Sequence, residues 1–151
     1  MKNLLLVLVL TLGYSITHAQ LGQSSKWIIK ENASKTFLEH NTEYILYYDQ
    51  EVDWVFKYFM DKEYEVCYAY FVSVPKDHTR ILMEILNAKE NNWVRITPFE
   101  YMREGDRRVA TLEADPSFPN RIFLWNRFMN QKDLDTLTKF TVGQSLPKKK
   151  L

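Results

Sequence analysis

Between Glu43 and Val74 the chain alternates large apolar residues with their neighbours in three successive runs, a pattern that commits this stretch to sheet. Glu43 to Asp49 is rich in Tyr, Ile and Leu. Asp53 to Asp61 places Trp54, Phe56, Tyr58 and Met60 two apart, and Glu65 to Val74 does the same with Val66, Tyr68, Tyr70 and Val72. Acidic turns, Asp49-Gln50-Glu51-Val52-Asp53 and Asp61-Lys62-Glu63-Tyr64, separate the runs, so they read as a three-strand meander. Residues two apart in a strand share a face. If the runs pair as their turns suggest, Tyr44, Leu46, Tyr48, Trp54, Phe56, Tyr58, Met60, Val66, Tyr68, Tyr70 and Val72 line one side. Ile45, Val55, Phe59, Cys67, Ala69 and Phe71 line the other. A sheet covered on one side only should alternate apolar with polar, so both of these faces ask for cover. The expectation is that the Cys67 face packs on helices. The aromatic face is then either capped by loops and termini or open for binding.

The remaining chain supplies the helices and a second set of strands. Ile29, Ala33 and Phe37 recur every four residues and predict a helix from Lys26 to His40. Pro75 stops the third strand. Asp77 can cap a helix to about Glu90 that buries Ile81, Leu82, Ile85 and Leu86. A short strand from Asn92 leads to Thr97-Pro98-Phe99-Glu100, a capping-box pattern that predicts a helical turn closed by Gly105. Arg107–Ala114 and Arg121–Phe128 form a hairpin with Ala110 opposite Trp125 and Leu112 opposite Phe123. Asn130 caps a last helix through Lys139. The fold class is α+β, an antiparallel sheet with helices on one face in the order α-βββ-α-βββ, which reads as two tandem αβββ units.

The two ends carry different information. Lys2, the Leu/Val run from Leu4 to Leu12, and Thr17-His18-Ala19 together form the layout of a secretory signal peptide cleaved after Ala19. That run is too short for a membrane span, which needs roughly 20 apolar residues, and no later stretch reaches that length. Lipidation would need a Cys just after the run, and the only Cys is Cys67. The divisions are therefore residues 1–19 as signal peptide, 20–25 as polar lead-in, 26–140 as one domain and 141–151 as basic tail. The product is expected to be soluble and secreted or periplasmic. A lone cysteine forms no internal disulfide, which favours a bacterial exported protein over a disulfide-framed animal domain. Asn32-Ala33-Ser34 is a sequon with meaning only in a eukaryotic secretory route. Acids and bases nearly balance, and three of the bases are Lys148, Lys149 and Lys150. The folded part is slightly acidic, which argues against nucleic acid as partner.

Chemistry-bearing motifs are few. His40 and His78 do not stand at ligand spacing with each other or with Cys67, and no paired Cys motif occurs, so no metal site is expected. Gly105 is the one glycine inside the folded part, which leaves no glycine-rich cradle for a phosphate cofactor. Cys67 with His78 as base could form a nucleophile pair, but Cys67 sits mid-strand, where a small apolar residue packs in the core. The acidic turns around Asp49–Asp53 and Asp61–Glu65 lie roughly 27 Å apart along a strand rising about 3.4 Å per residue, so they share no site. No catalytic residue is assigned. The hairpin register puts Arg127 opposite Arg108, with Arg103 and Arg107 nearby. Like charges facing each other call for an anion, from Glu100 or Glu104 or from a ligand. Tyr and Trp give large contact area at low entropic cost. Tyr44, Tyr48, Trp54, Phe56, Tyr58, Tyr68 and Tyr70 are thus the candidate surface for a protein or peptide partner in the envelope or outside the cell. A non-enzymatic binding module is the leading expectation. A small hydrolase or a carbohydrate-binding module stands as the alternative.

Overall fold

The computed structural model describes residues 21–145, with side chains described as far as Val142. The expected signal peptide and the Lys148–Lys150 end of the tail lie outside these residues. The elements run α1 (Ser25–Glu31), β1 (Thr36–His40), β2 (Tyr44–Asp49), β3 (Trp54–Met60), β4 (Cys67–Pro75), α2 (Thr79–Asn87), β5 (Val94–Thr97), β6 (Glu100–Arg103), β7 (Arg108–Ala114), β8 (Arg121–Phe128) and α3 (Gln131–Ser145). All eight strands form one antiparallel sheet in the order β1-β2-β3-β4-β8-β7-β6-β5. The class is α+β.

Each unit holds four strands rather than three. The expected first helix stops early because Asn32 caps it: its side-chain amide donates to Ile28 O at 2.8 Å. Thr36 and Phe37, β-branched and aromatic, then pair with Tyr48 and Tyr47 to start an edge strand on β2 that bulges at Leu38, and Phe37 is exposed rather than on a helix face. Asn32 itself is buried and accepts a hydrogen bond from Tyr58 OH, so the sequon is closed to modification. The expected helical turn at Pro98 is likewise a strand turn. Thr97 Oγ1 accepts the Phe99 N–H, and Glu100–Arg103 pairs with strands on both sides. Ahead of α2, Lys76–His78 is a single 3-10 turn closed by Thr79 Oγ1 donating to Lys76 O, without an Asp77 cap. Asn130 does cap α3, in a reciprocal box: its Oδ1 accepts the Asp133 N–H, and Asp133 Oδ2 accepts the Asn130 N–H.

The strand order has an internal two-fold. β3 (Trp54–Met60) recurs 54 residues later as β7 (Arg108–Ala114), and the start of β4 at Cys67 recurs by the same interval as β8 at Arg121. α1 and α2 stand in the same relation from Ser25 to Thr79. The two units meet last strand to last strand at β4–β8.

Turn length decides which side chains face which way. A four-residue loop joins β2 to β3 and closes on the pair Asp49↔Trp54, so even-numbered β2 residues oppose odd-numbered β3 residues. Tyr44 and Tyr48 therefore stand on the opposite side from Trp54, Phe56 and Tyr58, against the single aromatic face expected. A bulge opposite Phe59 and Met60 pushes Tyr68 outward and keeps Cys67 on the Trp54 side. The β7–β8 register is displaced by one residue from expectation: Ala114 opposes Ile122, Ala110 opposes Asn126 and Leu112 opposes Leu124. Arg121 opens β8 opposite Pro75 but lies outside the β7 pairing, its N–H donating to Phe118 O.

The Trp54 face, not the Phe71 face, is the one that α1 and α2 cover. Ile28 from α1 and Leu82, Ile85 and Leu86 from α2 close over Trp54, Phe56, Tyr58, Tyr70, Val72 and Leu124, all at most 2% exposed. Fully burying each large apolar side chain is worth about 1.5–3 kcal/mol, so this layer is the main source of stability. α3 lies on the reverse side, where Leu137 packs on Met102 and Val109 with Ile96 and Met129 at the margin.

Candidate functional site

α3 covers the reverse face only over the second unit. Over the first unit and the adjoining strand β8 the same face carries rings that are half-buried, held in place by each other. Register places Tyr44, Phe59 and Ala69 in one cross-strand row, Leu46, Lys57, Phe71 and Trp125 in the next, and Tyr48, Val55, Ser73 and Phe123 in a third. Phe59 and Trp125 stack with centroids 5.8 Å apart and planes 14° from parallel. Phe71 meets Trp125 at 5.1 Å and Phe123 edge-on at 5.7 Å, and Phe118 extends the series from Phe123. Tyr68, 51% exposed, joins at Phe59 through the bulge. The result is a continuous aromatic ridge across β3, β4 and β8.

An open hollow of about 740 Å³ adjoins the ridge, lined by Tyr44, Lys57, Phe59 and Tyr68 with Glu43, Lys62 and Glu63 at its rim. Lys57 Nζ lies 3.8 Å from the Tyr44 ring centroid and 5.2 Å from that of Phe59. Such a cation over ring faces is worth about 0.5–1 kcal/mol where exposed. Tyr44 OH donates to Glu39 Oε1 at 2.7 Å, and that bond raises the phenol's pKa. Tyr48 OH donates to Asp53 Oδ1, and burial first and this bond second raise its pKa. Lys62 pairs with Glu43 at 2.8 Å, lowering the carboxyl and raising the ammonium. At the far end Arg121 clasps two strands. It donates to Ser73 Oγ and O and to Asp53 Oδ2 and O, tying β8 to β4 and to the β2–β3 turn.

The candidate surface read from the sequence divides in two. Tyr44, Tyr48 and Tyr68 stand on the open face, whereas Trp54, Phe56, Tyr58 and Tyr70 are at most 1% exposed beneath the helices and cannot meet a partner. Phe59, Phe71, Phe123 and Trp125 take their place. A four-residue hairpin loop reverses the parity of facing residues, and that count would have shown Phe59 and Phe71 on the side of Tyr44. The alternation of Phe123 with Trp125 in β8 was the other legible sign.

The arginines also part. Arg127 opposes Ala69 and Val109 on the α3 side, where its guanidinium grips Asp133 at 2.6 and 3.1 Å. Arg108 opposes Phe128 and turns to the helix-covered side, 1% exposed. The residue facing Arg108 across the sheet is Arg103. Asp106, in the loop between them, relieves the pair: its Oδ2 lies 2.8 Å from Arg108 Nε, and Arg103 forks onto both its oxygens. The anion that the like charges demand comes from their own turn.

Among the described residues, the nucleophile and acid–base geometry considered for Cys67 and His78 does not assemble. Burial raises the Cys67 thiol to about 12, and its Sγ donates to Ala69 O at 3.3 Å. A thiol so held is almost entirely protonated near neutrality and is inert. His78 is engaged elsewhere, its Nδ1 accepting from the Trp54 indole at 3.0 Å. Asp61 spends one oxygen on the N–H groups of Glu63 and Tyr64, building its turn. Among the described residues no three of His, Cys, Asp and Glu gather where a metal could be held. No helix of those residues is long and apolar enough to cross a membrane.

Protein families, characterised proteins and solved structures were all compared with the chain. None of them matches it.

Proposed function

We propose that this protein is an exported, non-enzymatic binding module that engages a protein or peptide partner through the ridge formed by Phe59, Phe71, Phe123 and Trp125. The observation that carries the reading is the half-buried, mutually braced ridge on the face that α3 leaves uncovered. Aromatic side chains fixed by their neighbours lose little entropy on contact, which is why they dominate binding hot spots. A rim of paired charges around an apolar centre is also the general anatomy of an interface. Export rests on Lys2, the Leu4–Leu12 run and Thr17-His18-Ala19.

The test is co-purification of the mature protein with its neighbours from the native envelope after mild crosslinking, repeated with Trp125→Ala and Phe71→Ala. The reading expects a partner recovered with the parent chain and lost with both variants, while circular dichroism stays unchanged. Equal recovery with the variants would overturn it. A glycan array run in parallel separates stacking on sugars from protein contact.

A further inference from the structure

The open face carries two charges that form no ion pair among the described residues, and their spacing suggests what would pair with them. Lys57 shares only a longer-range attraction to Glu43, which is itself bonded to Lys62. Lys57, in the middle row, rests on ring faces and takes part in no ion pair among the described residues. Glu113, opposite Phe123 on β7, has Thr111 Oγ1 at 3.5 Å and likewise no cation among those residues. Three strand spacings separate β3 from β7 in the order β3-β4-β8-β7, about 14 Å, and the two positions are offset by two residues along the strands, about 7 Å. The charges thus stand about 16 Å apart, with Phe71, Trp125 and Phe123 between them. An α-helix rising about 1.5 Å per residue covers that span in about ten or eleven residues, or three turns.

The molecule already shows how a helix seats on this side of the sheet. In α3, Asp133 in the first turn grips the sheet cation Arg127, and Leu137 one turn later buries itself on Met102 and Val109. The positions 54 residues earlier are Ser73 for Arg127, Tyr48 for Met102 and Val55 for Val109. At these positions the first unit keeps an apolar pair, Ser73 is held by the Arg121 guanidinium, Lys57 is the cation beside the ridge, and no helix of the described residues lies over it. We infer that the open face receives an amphipathic helix of a partner protein, about three turns long, laid across the junction of the two units over β3, β4, β8 and β7. A carboxylate near its N-terminus meets Lys57, a Lys or Arg about ten residues on meets Glu113, and apolar residues between them cover Phe71, Trp125 and Phe123. The orientation also suits the helix dipole, which favours acids at the N-terminus and bases at the C-terminus. This inference rests on the binding reading above and adds the shape and charge order of what is bound.

A random helical-peptide display library panned against the mature protein, and counter-selected on Trp125→Ala, tests it. The expected result is enriched sequences with apolar residues at helical spacing, an Asp or Glu at the start and a Lys or Arg about ten residues later. Their binding should weaken about thirtyfold in Trp125→Ala, as truncation of a hot-spot aromatic does. Lys57→Glu should weaken them about fivefold, the scale of an exposed ion pair, and a peptide with its acid changed to Lys should recover the loss. Enriched peptides that depend on Trp125 but carry strand-like alternation, or no charge order, would overturn the helical inference and leave the binding reading standing. Peptides indifferent to Trp125, or no enrichment, would overturn both. Self-association through Trp125, seen by sedimentation, would assign the face to a second copy instead.

Discussion

The two units share a backbone plan and differ in what they bury. Trp54 opens β3 and Arg108 opens β7, at equivalent positions, and each is at most 1% exposed. Trp54 places its ring in the core and sends its single N–H to His78. Arg108 occupies the corresponding place with a guanidinium whose ion-pair partner is Asp106, and burial lowers its pKa. The turns, by contrast, are built alike. Asp61 Oδ1 accepts the Glu63 N–H in the first unit, and Asp115 Oδ1 accepts the Ser117 N–H in the second. Asn41 and Thr97 do the same work ahead of β2 and β6. Turn chemistry and strand length hold the common topology, while the buried layer tolerates an aromatic in one half and an ion pair in the other. That tolerance bears on function, because it leaves the reverse face free to diverge: one half is sealed by α3 and the other is open.

The core difference can be broken from either side. Trp54→Ala should cost about 4 kcal/mol, the usual loss for a fully buried Trp, measured by urea unfolding. Asp106→Ala should cost about 3 kcal/mol, because it strands a buried guanidinium. Adding Arg108→Met should return most of that loss, since an apolar residue of similar reach needs no counter-ion. If Asp106→Ala is silent, the second unit's ion pair is ornamental and its core is held by Tyr101, Ala110 and Leu112 alone.

Much of the fold was legible, and the gaps have physical causes. Strands β2, β3, β4, β7 and β8 announce themselves by alternation, and α2 by Ile81, Leu82, Ile85 and Leu86. The edge strand β1 was hidden because Ile29, Ala33 and Phe37 happen to repeat at helical spacing, and only pairing to β2 decides for sheet. Strand β6 was hidden behind Thr97-Pro98-Phe99-Glu100, since a hydroxyl that caps a helix can equally brace a turn. For the site, each aromatic residue was visible but its side was not. The β2–β3 loop length, which the sequence allows to be counted, and the bulge at Tyr68, which only backbone pairing reveals, together assign the faces.

The sealed half should open more readily than the rest of the core. Asp133 is held below the usual carboxylate range chiefly by its hydrogen bond with Arg127 and also accepts the Asn130 N–H. A carboxyl with a depressed folded pKa contributes stability above its unfolded value, near 3.8, and loses it as pH falls through the lower folded value. Acidification below about pH 4 should therefore loosen α3 before the sheet melts. Asp133→Asn should do the same at neutral pH at a cost of about 1 kcal/mol, the scale of a lost helix cap. Hydrogen exchange along α3 reads both, with faster exchange at 131–140 expected while β4 and β8 stay protected. Uniform exchange across helix and sheet would show that α3 is integral to the core, and that the halves differ less than their faces suggest.

The smallest effect separates the two hairpin turns that look most alike. Asp53 and Arg107 each end a four-residue loop with positive φ, 56° and 54°, the left-handed region where a Cβ costs about 1 kcal/mol. Arg107 is exposed and gives only backbone to its turn, its N–H donating to Glu104 O and its carbonyl accepting from Met129. Arg107→Gly should therefore stabilise the protein by about 0.5 kcal/mol, the relief of strain being partly offset by the greater freedom of glycine when unfolded. Asp53 has the same backbone but a working side chain, accepting from Tyr48 OH and pairing with Arg121. Asp53→Gly relieves the same strain and removes both contacts, so it should be neutral or destabilising. Midpoints of urea unfolding for the two variants, compared at equal slope, decide it. If both substitutions stabilise equally, the Asp53 carboxylate contributes nothing, and the Arg121 clasp rests on Ser73 and the Asp53 carbonyl alone.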